Sequence, residues 1–200
     1  MKRTIRDKVL DLAAESGGIR PKDLDELGIS RNYIYFLHKE GLLERAARGL
    51  YFRTDLEPSE YKTIAEVAKR VPEGVLCLLT ALQLHEITTQ MPHHVWLAIE
   101  PTRWRPKEPH LPIRLVHFSG DSFSFGIEEQ EIERVKVKVY TPAKTVADCF
   151  KFRNKIGLDV AIEALRDCHR QRKCSNDDLY HFAKVCRVWN VMRPYLEALS

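Results

Sequence analysis

The sequence predicts an α+β chain: a small N-terminal module of three helices and a hairpin, then a larger mixed α/β domain that ends in helices. Three observations carry that expectation. Apolar residues recur at helical spacing three times before Gly41, and two short β-patterned runs follow at 42–45 and 49–53. A polar segment at 55–59, interrupted by Pro58, marks a boundary, which places the domains at 1–57 and 58–200. Beyond it, alternating runs at 94–100, 114–118 and 134–140 predict strands, and the last third is helical.

The N-terminal elements follow from local chemistry. Thr4 to Glu15 carries Ile5, Val9 and Leu12 on one face, and Gly17-Gly18 ends that helix. Pro21 suits the first turn of a second short helix through Leu24 and Leu27. After the turn at Gly28-Ile29, Ser30 is placed to cap a third helix that runs to Lys39 or Glu40, with Gly41 closing it. Leu42–Arg45 and Gly49–Arg53 then form strands around the tip Ala46-Ala47-Arg48. Helix, helix, turn, helix and hairpin in that order describe a winged helix-turn-helix.

In the second part, Ser59–Arg70 has an amphipathic helical pattern. Val75–Leu79 is apolar without a decisive period, and Thr80 with Gln83 predicts a capping box for a helix through His85. Thr141-Pro142 opens a helix to Phe152, Asp159–Arg170 gives another, Ser175 with Asp178 caps a third, and Val191–Leu199 is the fourth.

Composition narrows the class. A 200-residue chain with 44% hydrophobic and 30% charged residues is globular rather than disordered. No apolar run approaches the roughly 20 residues of a membrane helix, and the N-terminus lacks the apolar stretch of a signal peptide. The expectation is a cytoplasmic protein without membrane contact. The five cysteines make no C-x-x-C pair, and Cys168, His169 and Cys174 fit no common zinc spacing, so no metal and no cofactor is expected. The net charge of +4 is unevenly spread. Residues 1–57 carry 11 basic and 10 acidic side chains, whereas 134–200 carry 14 against 7. Between Ser30 and Arg53 the bases dominate: Arg31, Lys39, Arg45, Arg48 and Arg53 against Glu40 and Glu44. A basic stripe in a neutral module suits phosphate contact.

The third helix carries the candidate DNA-binding residues. If Ile34 and Leu37 mark the buried direction, steps of about 100° point Asn32 and Lys39 away from the core, with Tyr35 close by and Arg31 lateral. Arg can pair with guanine, Asn with adenine and Lys with phosphate in a major groove. Ser30 and the first-turn amides could hold a phosphate, and Arg45 and Arg48 sit where a wing would approach the backbone. A helix exposing polar residues on one side is unremarkable alone; the constellation of three helices plus an Arg-bearing hairpin favours DNA.

Ser30-Arg31-Asn32-Tyr33, Gly41-Leu42-Leu43-Glu44-Arg45 and Arg48-Gly49-Leu50-Tyr51 resemble the opening module of AbiEi-type abortive-infection antitoxins. Leu79–His85, His94–Ile99, Tyr140–Phe150 and Gly157–Ala161 extend the resemblance over nearly the whole chain, with Lys144 where the family often has Arg. The resemblance implies the antitoxin half of a type IV toxin–antitoxin pair. Such a protein represses its own operon by binding inverted repeats as a monomer or weak dimer on DNA, and counters a nucleotidyltransferase-like toxin.

The alternative is a nuclease-like enzyme targeted by the winged helix. Against it, Glu133 and Lys136 are one residue too far apart for the E-x-K strand of restriction-type nucleases, and Asp148 falls on a helix. His85, His93 and His94 suit structural or solvated positions. There is no glycine-rich phosphate loop or nucleophile motif, so no catalytic residue is assigned. A second candidate surface, for toxin or nucleic acid, comprises Arg103, Trp104, Arg105, Lys107 and Arg114, which interleave basic and aromatic groups among prolines, together with Lys144.

Overall fold

A computed structural model of the chain describes residues 4–16, 18–47, 49–55, 61–101 and 111–199. Two compact units result: 1–70 with 131–136, and 71–130 with 137–200. The fold class is the expected one, a helix-turn-helix module with a hairpin followed by a mixed α/β region ending in helices.

In the first unit, α1 (Ile5–Glu15) opens with a capping box, Thr4 Oγ1 accepting from the Asp7 N–H at 3.1 Å while the Asp7 carboxylate accepts from the Thr4 N–H at 3.0 Å. Pro21–Leu27 is a 3-10 helix, closed by Gly28 in the left-handed region. Helix α2 (Tyr33–Lys39) begins later than expected, with Asn32 at its N-cap. Ser30 does not cap it; the Ser30–Asn32 segment is a tight turn in which the Ser30 carbonyl accepts from Tyr33 at 2.9 Å. Strands β1 (Leu43–Ala47) and β2 (Leu50–Arg53) pair antiparallel, with a bulge between Arg45 and Ala47.

Ile19 adds a third rung by exchanging both backbone hydrogen bonds with Tyr51, at 2.7 and 2.9 Å. Gly18 makes this possible. Its φ is +109°, and a Cβ there would lie 2.9 Å from the Phe52 ring. Val9, Ala13, Ile19, Leu24, Ile34, Leu37, Leu43 and Tyr51 form the core of the module. Each large aliphatic side chain buried there contributes about 1.5–3 kcal/mol. Helix α3 (Lys62–Arg70) belongs to the same unit: the Arg20 guanidinium donates to the Lys69 carbonyl, and Lys69 Nζ donates to the Gly18 carbonyl. The sequence had set that helix beyond the boundary at 57/58.

The second unit is built on a five-stranded sheet in the order β5-β4-β3-β7-β6. Its strands are β3 (Val75–Leu76), β4 (Val95–Ile99), β5 (Ile113–His117), β6 (Ile127–Ile132) and β7 (Val135–Tyr140). β3 runs antiparallel to β4 and parallel to β7, and β4 runs parallel to β5. Glu133 and Arg134, both with positive φ, join β6 to β7, the backbone that a two-residue hairpin turn requires.

The helices are α4 (Leu78–Leu84), α5 (Asp121–Ser124), α6 (Pro142–Lys151), α7 (Arg153–Ile156), α8 (Leu158–Arg170), α9 (Asn176–Val185) and α10 (Trp189–Glu197). Helix α6 is the hub; every residue from Ala143 to Phe150 is buried. The capping box at Ser175 and Asp178 forms as expected. The one expected at Thr80 and Gln83 does not: α4 starts at Leu78, and Thr80 is buried inside it, its Oγ1 accepting from the Trp96 N–H at 2.9 Å.

Candidate nucleic-acid interface

Helix α2 is amphipathic over only two turns. Ile34 and Leu37 are fully buried, while Asn32, Tyr35, Phe36 and Lys39 are exposed. The helix is fixed against the wing at its far end, where His38 Nδ1 bonds the Leu43 carbonyl at 2.8 Å. Lys39 in the last turn complements the negative end of the helix dipole, so the helix itself tolerates that charge.

Helix α2 and the wing meet at the buried Tyr51. Tyr35 meets Tyr51 edge-on, with ring centroids 6.0 Å apart. Arg45 pairs with Tyr51 in the β-ladder register and so shares its face of the ribbon. Burial pushes the Tyr51 phenol above its ordinary pKa, and the nearby Arg45 charge opposes that rise. Asn32, Tyr35, Lys39 and Arg45 thus come from two adjacent elements tied through Tyr51 and His38. Phe36, 51% exposed and stacked on Tyr33 at 5.5 Å, is an apolar group on the same helix that sequence reasoning passed over. The signal was present, because helical geometry turns Phe36 as far from the core direction as Tyr35.

Arg31 is paired in the free protein. Its guanidinium is engaged in two parallel bonds to Asp25, Nε to Oδ1 at 2.9 Å and Nη2 to Oδ2 at 2.5 Å. The bond holds the Asp25 carboxyl below its ordinary pKa and raises that of Arg31. The fork proposed for guanine is therefore occupied in the free protein, and Asp25 brings a negative charge to the start of α2. Ser30 is exposed in its turn, its Oγ accepting from the Asn32 N–H at 3.4 Å, without the capping role. Arg48 lies outside the described residues.

The second candidate surface fares differently. Arg103, Trp104, Arg105 and Lys107 lie outside the described residues. Arg114 is exposed, its guanidinium resting 5.2 Å from the centre of the Trp96 ring across the β4–β5 ladder. Lys144 is not on a surface. It is completely buried, its Nζ 2.5 Å from Asp148 Oδ2 and 3.9 Å from the centre of the Tyr140 ring. One turn of a helix facing the core brings the pair together at i,i+4, and the aromatic ring stabilises the cation. Asp148 also accepts from Cys186 Sγ at 3.2 Å, so both of its oxygens are used internally. His85 Nε2 donates to the Tyr140 carbonyl, 2.7 Å away, in a buried structural role.

Comparison with known proteins agrees with this geometry. Residues 7–54 match the family described as "Transcriptional regulator, AbiEi antitoxin". The N-terminal module is an AbiEi-type antitoxin regulator domain. Its family is one of DNA-binding transcriptional regulators rather than enzymes. No curated protein matches the chain. The crystal structure of the RV2827C protein from Mycobacterium tuberculosis has the same fold over 100% of this chain and 79% of that one, with a TM-score of 0.67 at 12% identity. Among the described residues, no helix is long and apolar enough to cross a membrane.

Proposed function

We propose that the chain is the autorepressing antitoxin of a type IV toxin–antitoxin pair. Helix α2 enters the major groove of inverted-repeat operator DNA. Asn32 contacts base edges, Tyr35 packs beside it, and Lys39 with Arg45 and Arg48 contacts phosphates. The C-terminal domain, residues 58–200 in this division, counters a nucleotidyltransferase-like toxin in the cytoplasm. The observation that supports the DNA reading best is the exposure of Asn32, Tyr35 and Lys39 on α2 together with Arg45 on the adjoining β1, in a module whose residues 7–54 match the AbiEi family.

Binding to the DNA upstream of the protein's own reading frame tests it, followed by fluorescence anisotropy over a salt series. Lys39→Ala and Arg45→Ala are each expected to weaken binding on all sequences and to flatten the log–log salt slope by about 0.9. Asn32→Ala is expected to relax discrimination at one base pair, at a cost of about 1–3 kcal/mol there. Equal loss on every sequence for all three would show that α2 does not read bases.

A further inference from the structure

The C-terminal unit contains an open cleft of about 720 Å³ between the segment Ser119–Ser122, the end of α6 at Lys151, and the end of α9 from Lys184 to Arg187. Three cations line it, Lys151, Lys184 and Arg187, against one carboxylate, Asp121. We propose that this cleft is a binding site for a small hydroxyl-bearing phosphate ester of about nucleotide size, separate from the operator-binding face.

Charge carries the argument first. Lys151 Nζ is oriented by Ser122 Oγ at 3.1 Å and by the Phe118 ring, 5.5 Å from its centre. Ser122 in turn donates to the Val185 carbonyl at 3.2 Å, which ties two walls of the cleft together. Lys151 has no carboxylate at ion-pair distance among the described residues, and the Arg187 guanidinium has neither a hydrogen bond nor an ion pair among them. Cations gathered in one concavity repel each other and focus a positive potential into it, which an anion relieves. The floor does not oppose that anion. Asp148, the nearest buried acid, is neutralised by Lys144, and Cys186 donates to its remaining oxygen.

Chemistry and size select the class of ligand. An exposed guanidinium fork suits two phosphate oxygens, an ammonium adds a point charge, and the Ser119 hydroxyl is a further donor on the wall. The volume falls within the roughly 300–1,000 Å³ of small-molecule sites and exceeds what a bare phosphate fills. Asp121, acceptor only when ionised, suits a hydroxyl on the remainder of the ligand. The site binds and does not react through its thiol: burial pushes Cys186 up to about 12, so it stays protonated.

Isothermal titration of the full chain with adenosine 5′-monophosphate, inorganic phosphate, adenosine and an unphosphorylated single-stranded decanucleotide tests the proposal. The expected result is one molecule of the monophosphate per chain, weaker binding of phosphate, and none of adenosine. Arg187→Gln and Lys151→Gln should each weaken the monophosphate at least tenfold, and Arg187→Lys should fall between. Arg193→Gln, whose native guanidinium pairs with Glu197, should change nothing. Thermal unfolding of each variant separates lost binding from lost fold. No binding of the monophosphate, equal binding of adenosine, or indifference to Arg187→Gln in a folded variant overturns the proposal. So does capture of the oligonucleotide with no response to the monophosphate, which would make the cleft a strand path.

Discussion

In the proposed DNA-bound state, Asp25 would compete with phosphate for Arg31. The carboxylate satisfies the fork in the free protein, yet both side chains are half-exposed, so the pair can open when a phosphate offers a better partner. Asp25→Ala is expected to tighten operator binding and to steepen the salt slope by about 0.9, whereas Arg31→Ala should weaken binding. An unchanged slope in Asp25→Ala would mean that Arg31 takes no phosphate. The buried Lys144–Asp148 pair is the opposite case, because neither charge can reach water. Lys144→Met strands Asp148 and should cost about 3–5 kcal/mol in urea unfolding, and Lys144→Met with Asp148→Leu should recover most of it. A double variant as unstable as the single one would contradict this account. His85 gives a pH signature. Burial lowers its pKa below the ordinary 6.5, so the folded state binds fewer protons than the unfolded one as pH falls. Stability is therefore present above about 6.5 and declines below it toward the lower folded-state value. His85→Gln should flatten that decline in a pH series of thermal unfolding.

At the scale of elements, side chains hold α3 against the wing, with Lys62 Nζ 3.5 Å from Glu44 Oε2 and 5.4 Å from the centre of the Phe52 ring, while the segment before the 3-10 helix joins the wing through its backbone. Gly18 approaches the Phe52 ring with a backbone closed to other residues, and from there Ile19 pairs with Tyr51. Gly18→Ala combines a strained positive φ with a clash, and is expected to destabilise the module by about 1–3 kcal/mol, read as a lower midpoint in chemical denaturation. Helix α3 supplies Lys69 to the Gly18 carbonyl and accepts from Arg20. A fragment ending at residue 70 should accordingly melt at a higher temperature than one ending at residue 57. Equal melting temperatures would show that α3 adds nothing to the winged helix.

For the whole molecule, the proposed division of labour predicts that repression and neutralisation separate. Asn32→Ala with Lys39→Ala in the full chain touches only exposed side chains of α2, so the core of each unit stays intact. That variant is expected to lose repression of a promoter–reporter while still rescuing cells from the cognate toxin. Rescue lost together with repression, in a folded protein, would show that neutralisation needs DNA binding.

The sequence by itself determined the fold class, the order of elements in the N-terminal module and the exposed face of α2, but not β6 (Ile127–Ile132) or the short helices α5 and α7. Those features rest on local periodicity, turn glycines and caps, all properties of residues within a turn or two of each other. Ile34 and Leu37 were legible as core because a helix repeats every few residues, and Ser175 was legible as a cap because its partner Asp178 is three residues away. Tertiary structure decided the rest. Lys144 looks like a surface charge until α6 is enclosed on all sides, and only then do Asp148 and the Tyr140 ring become its partners. Arg31 looks free until the 3-10 helix brings Asp25 beside it. Lys151 and Arg187, distant in sequence, line one cleft only because α6 and α9 pack together. Burial and charge pairing depend on what folds onto a residue from elsewhere in the chain, and no local pattern encodes that.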